Sequence, residues 1–217
     1  SLISVVVKAG VEMRQELFAC QLIAMCQQIW TEEGVDELWT SPHHNVLVAG
    51  SNGGLVETIP DCISVHSIKK ASLADGACCT LKQHYQRLFG DEPSPEYNGA
   101  LLNFIQSLAA YSLITYTLHI KDRHNGNILI SRHGHIIHID FGFMLTNAPG
   151  GNAYVGGFET APFKLTHDYV EMLGGLRIDS PEYCMFRGLF ITGLLALRKH
   201  HERLVLLVEA TSLGTLG

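Results

Sequence analysis

Charge is sparse in this chain of 217 residues. Only 17% of positions are Asp, Glu, Lys or Arg, and the net charge is −6. A broad basic surface is therefore missing, and nucleic acid is not expected as a partner. The six cysteines form no CxxC pair and no signal-peptide pattern opens the sequence, so reduced thiols in a cytoplasmic protein are expected. No long uninterrupted apolar run is present either. The best candidate, Leu101 to Ile120, is broken by Asn103, Gln106 and His119, so any membrane contact is expected to be peripheral. Internal repeats and low-complexity tracts are absent. What remains is a 47% apolar composition, enough for a packed core of one large domain or a lobe and a half.

The β-branched run Leu2 to Lys8 predicts a buried strand that ends in a lysine, and Gly10 breaks it. Helical spacing of apolar residues follows from about Met13 to Thr31, with Glu16 one turn in. Val46–Ala49 and Leu55–Ile59 predict two strands around the turn Ser51-Asn52-Gly53-Gly54. Residues 67–98 read as a polar, irregular connection holding one short helix near Leu81 to Leu88. A helix apolar on nearly all faces is expected from about Gly99 to Leu118, and two short strands from Ile128 and Ile136. Thr166 and Ser180, the latter followed by Pro181, are helix caps, and a last amphipathic piece covers Arg203 to Ala210. The fold class is α+β.

The chemistry is concentrated between Leu118 and Gly142. Asp122 is followed by Asn127 and then by Asp140, which opens Asp-Phe-Gly. Protein kinases space a catalytic Asp, an Asn and a metal-binding Asp-Phe-Gly in the same way, but write His-Arg-Asp where this chain has Asp122-Arg123-His124. Oxygen ligands suit Mg²⁺, which makes Asn127 and Asp140 the natural metal pair. Asp122 and His124 are both candidates to orient a hydroxyl and take its proton. Arg123 is either an orienting group or a structural ion-pair partner. Lys8 and Glu16 are either two solvated charges or the strand-lysine and helix-glutamate pair that positions ATP phosphates. His133, His135 and His138 invite a metal reading, which strand alternation disfavours by sending His135 and His138 to opposite faces.

At KDRHNGNI and HIIHIDFGF the sequence resembles the phosphatidylinositol 3-/4-kinase family, whose catalytic loop is written Asp-Arg-His. VVVKAGVEMRQE near the start is similar to the family's VxVKxGDDLRQE, so the resemblance covers almost the whole chain. It implies a two-lobed protein-kinase-like fold, with a partial sheet-containing N-lobe over residues 1–66 and a mostly helical C-lobe over 67–217. Lys8 becomes the ATP-contacting lysine and Glu16 its partner. Glu57, Thr58 and Ile59 become the hinge that meets adenine. Asp122, Arg123 and His124 form the catalytic loop, and Asn127 and Asp140 hold Mg²⁺, with Mn²⁺ as an alternative.

Within the family, GFETAPFKLT and SVHSIKK resemble the 4-kinases, and among them the type III beta branch, whereas PGGN and IPDCIS are similar to the alpha branch. The implied reaction moves the γ-phosphate of ATP to the 4-hydroxyl of phosphatidylinositol. The implied setting is peripheral on endomembranes, with the Golgi suggested by the same resemblance and the recruiting proteins unidentified. Phe143 to Phe163 contains no lysine or arginine, which points to a headgroup without extra phosphates. Two departures stand out. Val11 replaces a family carboxylate, with packing as its simple explanation. The sequence also starts at the lysine strand and stops before the family's final helices, so it is expected to be a fragment with impaired folding and turnover. The rival readings are a class III-like phosphatidylinositol 3-kinase and a catalytically inactive membrane-associated scaffold.

Overall fold

The computed structural model describes residues 4–42, 45–50, 52–74, 80–145 and 161–214. The His43-His44 pair, the turn residue Ser51, Cys78, Cys79 and most of the cation-free loop lie outside the described residues. Two three-stranded antiparallel sheets are combined with seven helices among the described residues, an α+β architecture.

The first sheet has the order β1-β3-β2, from β1 (Val5–Ala9), β2 (Val46–Val48) and β3 (Gly53–Glu57). Gly53 and Gly54 belong to β3 and not to the turn. A Cβ on Gly53 would stand 2.6 Å from the Lys8 carbonyl oxygen, so the missing side chain lets β1 close on β3. Gly10 adopts φ 75°, and its N–H donates to the Asn52 carbonyl at 2.8 Å. That left-handed turn frees the chain from the sheet and sends it into α1 (Arg14–Glu32). The carboxylate of Glu12 accepts from Arg14 N–H at 2.9 Å at the start of α1. Val11 is 47% exposed, so packing does not explain it.

The second sheet has the order β4-β5-β6, from β4 (Cys62–Ser64), β5 (Ile128–Ser131) and β6 (Ile136–His138). Strand β4 has no counterpart in the sequence reading, because three residues are too few for a visible alternation. The segment from residue 67 onward is also more ordered than expected. Helix α2 (Val65–Ala74) begins it, with Ser64 Oγ accepting from Ser67 N–H at 3.0 Å and Val65 and Ile68 buried. Helix α3 (Leu81–Phe89) carries a capping box between Thr80 and Gln83. Helix α4 (Pro95–Thr117) starts four residues before the expected Gly99, because Ser94 caps it and Pro95 fits its first turn.

Helix α4 is the axis of the core. Residues 107–115 along it are all buried, and it packs on β6, α3 and α6 (Pro181–Lys199). Phe104 meets Tyr85 at 5.8 Å and Tyr169 at 5.9 Å, both edge-on. The caps expected at Thr166 and Ser180 are formed on α5 (His167–Met172) and α6. Helix α7 (His201–Gly214) returns along α1, where Arg203 pairs with Glu32 and His200 and Lys199 with Glu33. Among the described residues no helix is long and apolar enough to cross a membrane.

Candidate active site

The route to the site begins where α4 ends. Leu118 N–H still bonds Ile114, but His119 turns to φ 52° and the chain leaves the helix. Lys121 N–H then donates to Phe143 O and Leu145 N–H to Leu118 O, each at 2.9 Å. These bonds lay the Asp122 turn alongside the segment that follows Asp-Phe-Gly. Between them the β5–β6 hairpin doubles back, with Ile128 opposite His138 and Ile139 N–H bonded to the Asn127 carbonyl at 3.0 Å. Thirteen residues of separation between Asn127 and Asp140 thus collapse to neighbouring rungs.

Asp122 and Asp140 both take left-handed backbone, at φ 62° and 60°. Each conformation costs about 1 kcal/mol or more for a residue with a Cβ, and must be held by its surroundings. Arg123 supplies the hold. Its Nε donates to Lys121 O at 3.1 Å, one terminal nitrogen to Ile139 O at 2.7 Å and the other to Asp140 O. The guanidinium is nearly fully buried and lies over the Phe141 ring at 5.4 Å. Of the two roles open to Arg123, orientation of the loop is the one its hydrogen bonds perform.

Sheet and helix bring the ATP-side pair to the same place. Lys8 Nζ bonds Glu16 Oε2 at 2.7 Å and stands 3.6 Å from Asp140 Oδ1. Burial works against the Lys8 charge, but the Glu16 hydrogen bond and charge, followed by Asp140, outweigh it and raise its pKa above the ordinary lysine value. Gln15, next to Glu16, donates to the Gly142 carbonyl at 2.9 Å and ties α1 to the end of Asp-Phe-Gly. The sequence reading assigned Gln15 no role, although its place between the Arg and Glu of RQE was a signal.

Lys8, Glu16 and Asp140 form the polar end of a cavity of about 290 Å³. Val6 and Val56 of the first sheet, and Leu129 and Ile139 of the hairpin, give it apolar walls. Glu57, Thr58 and Ile59 line its rim. Thr58 N–H and its hydroxyl both donate to Ser4 O, at 3.0 and 2.9 Å. Peptide groups alternate in direction along an extended chain, so the Glu57 carbonyl and Ile59 N–H belong to the opposite edge.

Within the Asp122 turn, Asn127 Nδ2 donates to Asp122 O at 2.9 Å, which leaves the amide oxygen on the other side of the group. His124 Nδ1 accepts from Gly126 N–H at 3.0 Å, and its Nε2 lies 3.9 Å from Asp122 Oδ2. Lys164 Nζ donates to the Arg123 carbonyl at 3.2 Å, a contact invisible at forty residues of sequence distance. The histidines raised as metal ligands have other neighbours. His135 stacks on Trp39 at 3.9 Å, and burial, followed by the His133 charge, lowers its pKa to about 4. His138 stacks on Tyr111 at 4.8 Å. Among the described residues no group of three or more His, Cys, Asp or Glu is placed to hold a metal. Asn127 and Asp140 offer an amide oxygen and a carboxylate, hard donors of the kind Mg²⁺ takes.

The chain was also compared with known proteins. The family model for phosphatidylinositol 3- and 4-kinase matches residues 2–213. The chain is 48% identical to phosphatidylinositol 4-kinase pik1 of Schizosaccharomyces pombe, over 96% of this chain and 25% of that protein. It is 44% identical to a phosphatidylinositol 4-kinase of Dictyostelium discoideum, over 98% of this chain and 17% of that protein. It is 42% identical to phosphatidylinositol 4-kinase beta of Danio rerio, over 99% of this chain and 24% of that protein. The chain therefore spans a quarter or less of the length of these relatives. With a family model matching residues 2–213 and relatives 42–48% identical over nearly the whole chain, the chain belongs to the phosphatidylinositol 3- and 4-kinase family.

Proposed function

We propose that the chain is the catalytic portion of a phosphatidylinositol 4-kinase, moving the γ-phosphate of ATP to the 4-hydroxyl of phosphatidylinositol. The observation that carries this reading is Lys8 Nζ, held at 2.7 Å by Glu16 and at 3.6 Å from Asp140 at the polar end of the cavity. The three relatives, each named a phosphatidylinositol 4-kinase, support the regiochemistry. In this reading the first sheet and α1 form a partial N-lobe and the rest a C-lobe. We set the boundary ahead of Cys62, because β4 pairs with β5.

The adenine occupies the apolar walls and meets the Glu57 carbonyl and Ile59 N–H at the rim. Lys8, kept cationic by its two carboxylates, binds phosphate oxygens at the other end. Asp140 offers a half-exposed carboxylate and Asn127 an amide oxygen, a hard donor set that fits Mg²⁺ or Mn²⁺. When bound, the cation neutralises charge on the transferring phosphoryl group. Because Nδ1 of His124 accepts from Gly126, its neutral ring carries the proton on Nε2. His124 is then a donor at that atom, and Asp122 is the group that accepts the inositol hydroxyl proton. Arg123 keeps Asp122 and Asp140 in register. The substrate is phosphatidylinositol without additional phosphates, since residues 143–163 carry no cation for them. Binding to endomembranes, with the Golgi as one site, is peripheral.

The test uses the full-length parent with Mg²⁺-ATP and phosphatidylinositol micelles, followed by headgroup analysis of the labelled product. Phosphatidylinositol 4-phosphate is expected, and Asp140→Ala abolishes it. A 3-phosphate product would establish the class III-like alternative, and no transfer at all the inactive scaffold.

A further inference from the structure

A second cavity opens beside the Asp122 turn. It measures about 810 Å³ and shares no lining residue with the first. The stretch from Arg123 to Gly126 forms one wall, with His66 and Lys164 beside it. His66 sits in the first turn of α2, and its N–H donates to the Asn125 carbonyl at 3.0 Å. Lys164 reaches the Arg123 carbonyl from the other flank. His66, Arg123, His124, Asn125 and Lys164 give this cavity five nitrogen-bearing side chains, of which Arg123 is committed to backbone carbonyls, and no carboxylate lines it among the described residues. The nearby acid on α5, Asp168, is engaged by Lys69 at 2.8 Å and by Leu81 N–H. In a chain of net charge −6, such a carboxylate-free concavity is matched to an anion.

The acceptor proposed above carries one anionic group near its inositol ring, the phosphodiester at position 1. Positions 1 and 4 face each other across the ring. An enzyme that presents the 4-hydroxyl to Asp122 must hold the phosphodiester across the ring from that carboxylate, on the face away from ATP. We propose that Lys164 and His66 form the site for this phosphodiester and so set which hydroxyl faces Asp122. The inference rests on the phosphatidylinositol kinase reading and adds residues to it. His66 and Lys164 stand in SVHSIKK and GFETAPFKLT, the two stretches similar to the 4-kinases, and neither carries a role in the reading above. It also accounts for recognition by a site whose following loop has no cation, because a single phosphate needs charge at this one place.

The experiment compares the full-length parent with its Lys164→Ala, Lys164→Arg and His66→Ala variants on phosphatidylinositol vesicles. Soluble glycerophosphoinositol, myo-inositol and inorganic phosphate serve as competitors. Removing a charge-assisted contact is expected to raise the lipid KM about tenfold, without a matching rise in KM for ATP. Glycerophosphoinositol should compete better than myo-inositol against the parent, and this preference should vanish in Lys164→Ala and survive in Lys164→Arg. A fall in kcat alone, with lipid KM and competitor preference kept, would reduce Lys164 to a brace for the Arg123 carbonyl and overturn the proposal. Inorganic phosphate competing as well as glycerophosphoinositol would overturn it too, by making the site a general anion site. A parent that transfers no phosphate to phosphatidylinositol fails the kinase reading itself, a result distinct from active enzyme with unaltered lipid KM.

Discussion

Arg123 is hydrogen-bonded to the carbonyl of Asp140, seventeen residues ahead, and through the same guanidinium to the carbonyl of Ile139. One buried cation thereby fixes the distance between the turn that carries Asp122 and the strand end that carries Asp140. A lysine has neither the fork nor the five donors to do this.

Arg123→Lys should therefore damage both stability and turnover. At least one buried carbonyl loses its donor, at a cost of about 1–3 kcal/mol. Urea denaturation should register that loss. Steady-state kinetics should show kcat falling further than KM for ATP rises, because the nucleotide cavity is walled by other residues.

Glu16→Gln should raise KM for ATP by about tenfold, since Lys8 loses the partner that orients it. The pair also sets a pH dependence. The folded pKa of Lys8 is raised, so its contribution is fully present below the ordinary lysine value of 10.5. It is lost as pH rises through the higher folded value. Thermal melts should thus show no pH dependence from this pair near neutrality and a decline on the alkaline side that Lys8→Met abolishes.

His135 works in the acid direction. Burial beside Trp39 holds its pKa near 4, below the ordinary 6.5. Between those values the unfolded chain binds the proton more readily than the folded one, so stability falls as pH drops from about 6.5 toward 4. Melting temperatures at pH 7 and pH 5 should differ less in His135→Gln than in the parent.

Phe104→Ala should cost about 3–5 kcal/mol, because the ring is fully buried between Tyr85 and Tyr169. Chemical denaturation with circular dichroism measures this directly. Loss of activity should then track loss of folded protein, with KM values unchanged in the folded fraction.

The helix limits were legible because caps and apolar spacing are local. Thr166, Ser180 and Pro181 announce α5 and α6 within four residues of chain. Helix α2 and the true start of α4 were missed where serine and proline were read as loop formers, although Ser64 and Ser94 act as caps. Strand β4 had no local signature, since it exists through its pairing with β5. The candidate site divides in the same way. Asp122, Asn127 and Asp140 stand at recognisable spacing, and residue type alone makes them candidates for proton and metal roles.

By itself, then, the sequence determined which residues are candidates for the chemistry and which helices frame them, because spacing and capping act over a few residues. Tertiary structure alone decided how the groups meet. The register of β5 and β6 brought Asn127 beside Asp140, closure of β1 on β3 and the packing of α1 brought Lys8 to both carboxylates, and the three carbonyl bonds of Arg123 revealed its role. The physical reason is that hydrogen bonds between distant peptide groups depend on where the chain has already folded, and no window of neighbouring residues encodes them.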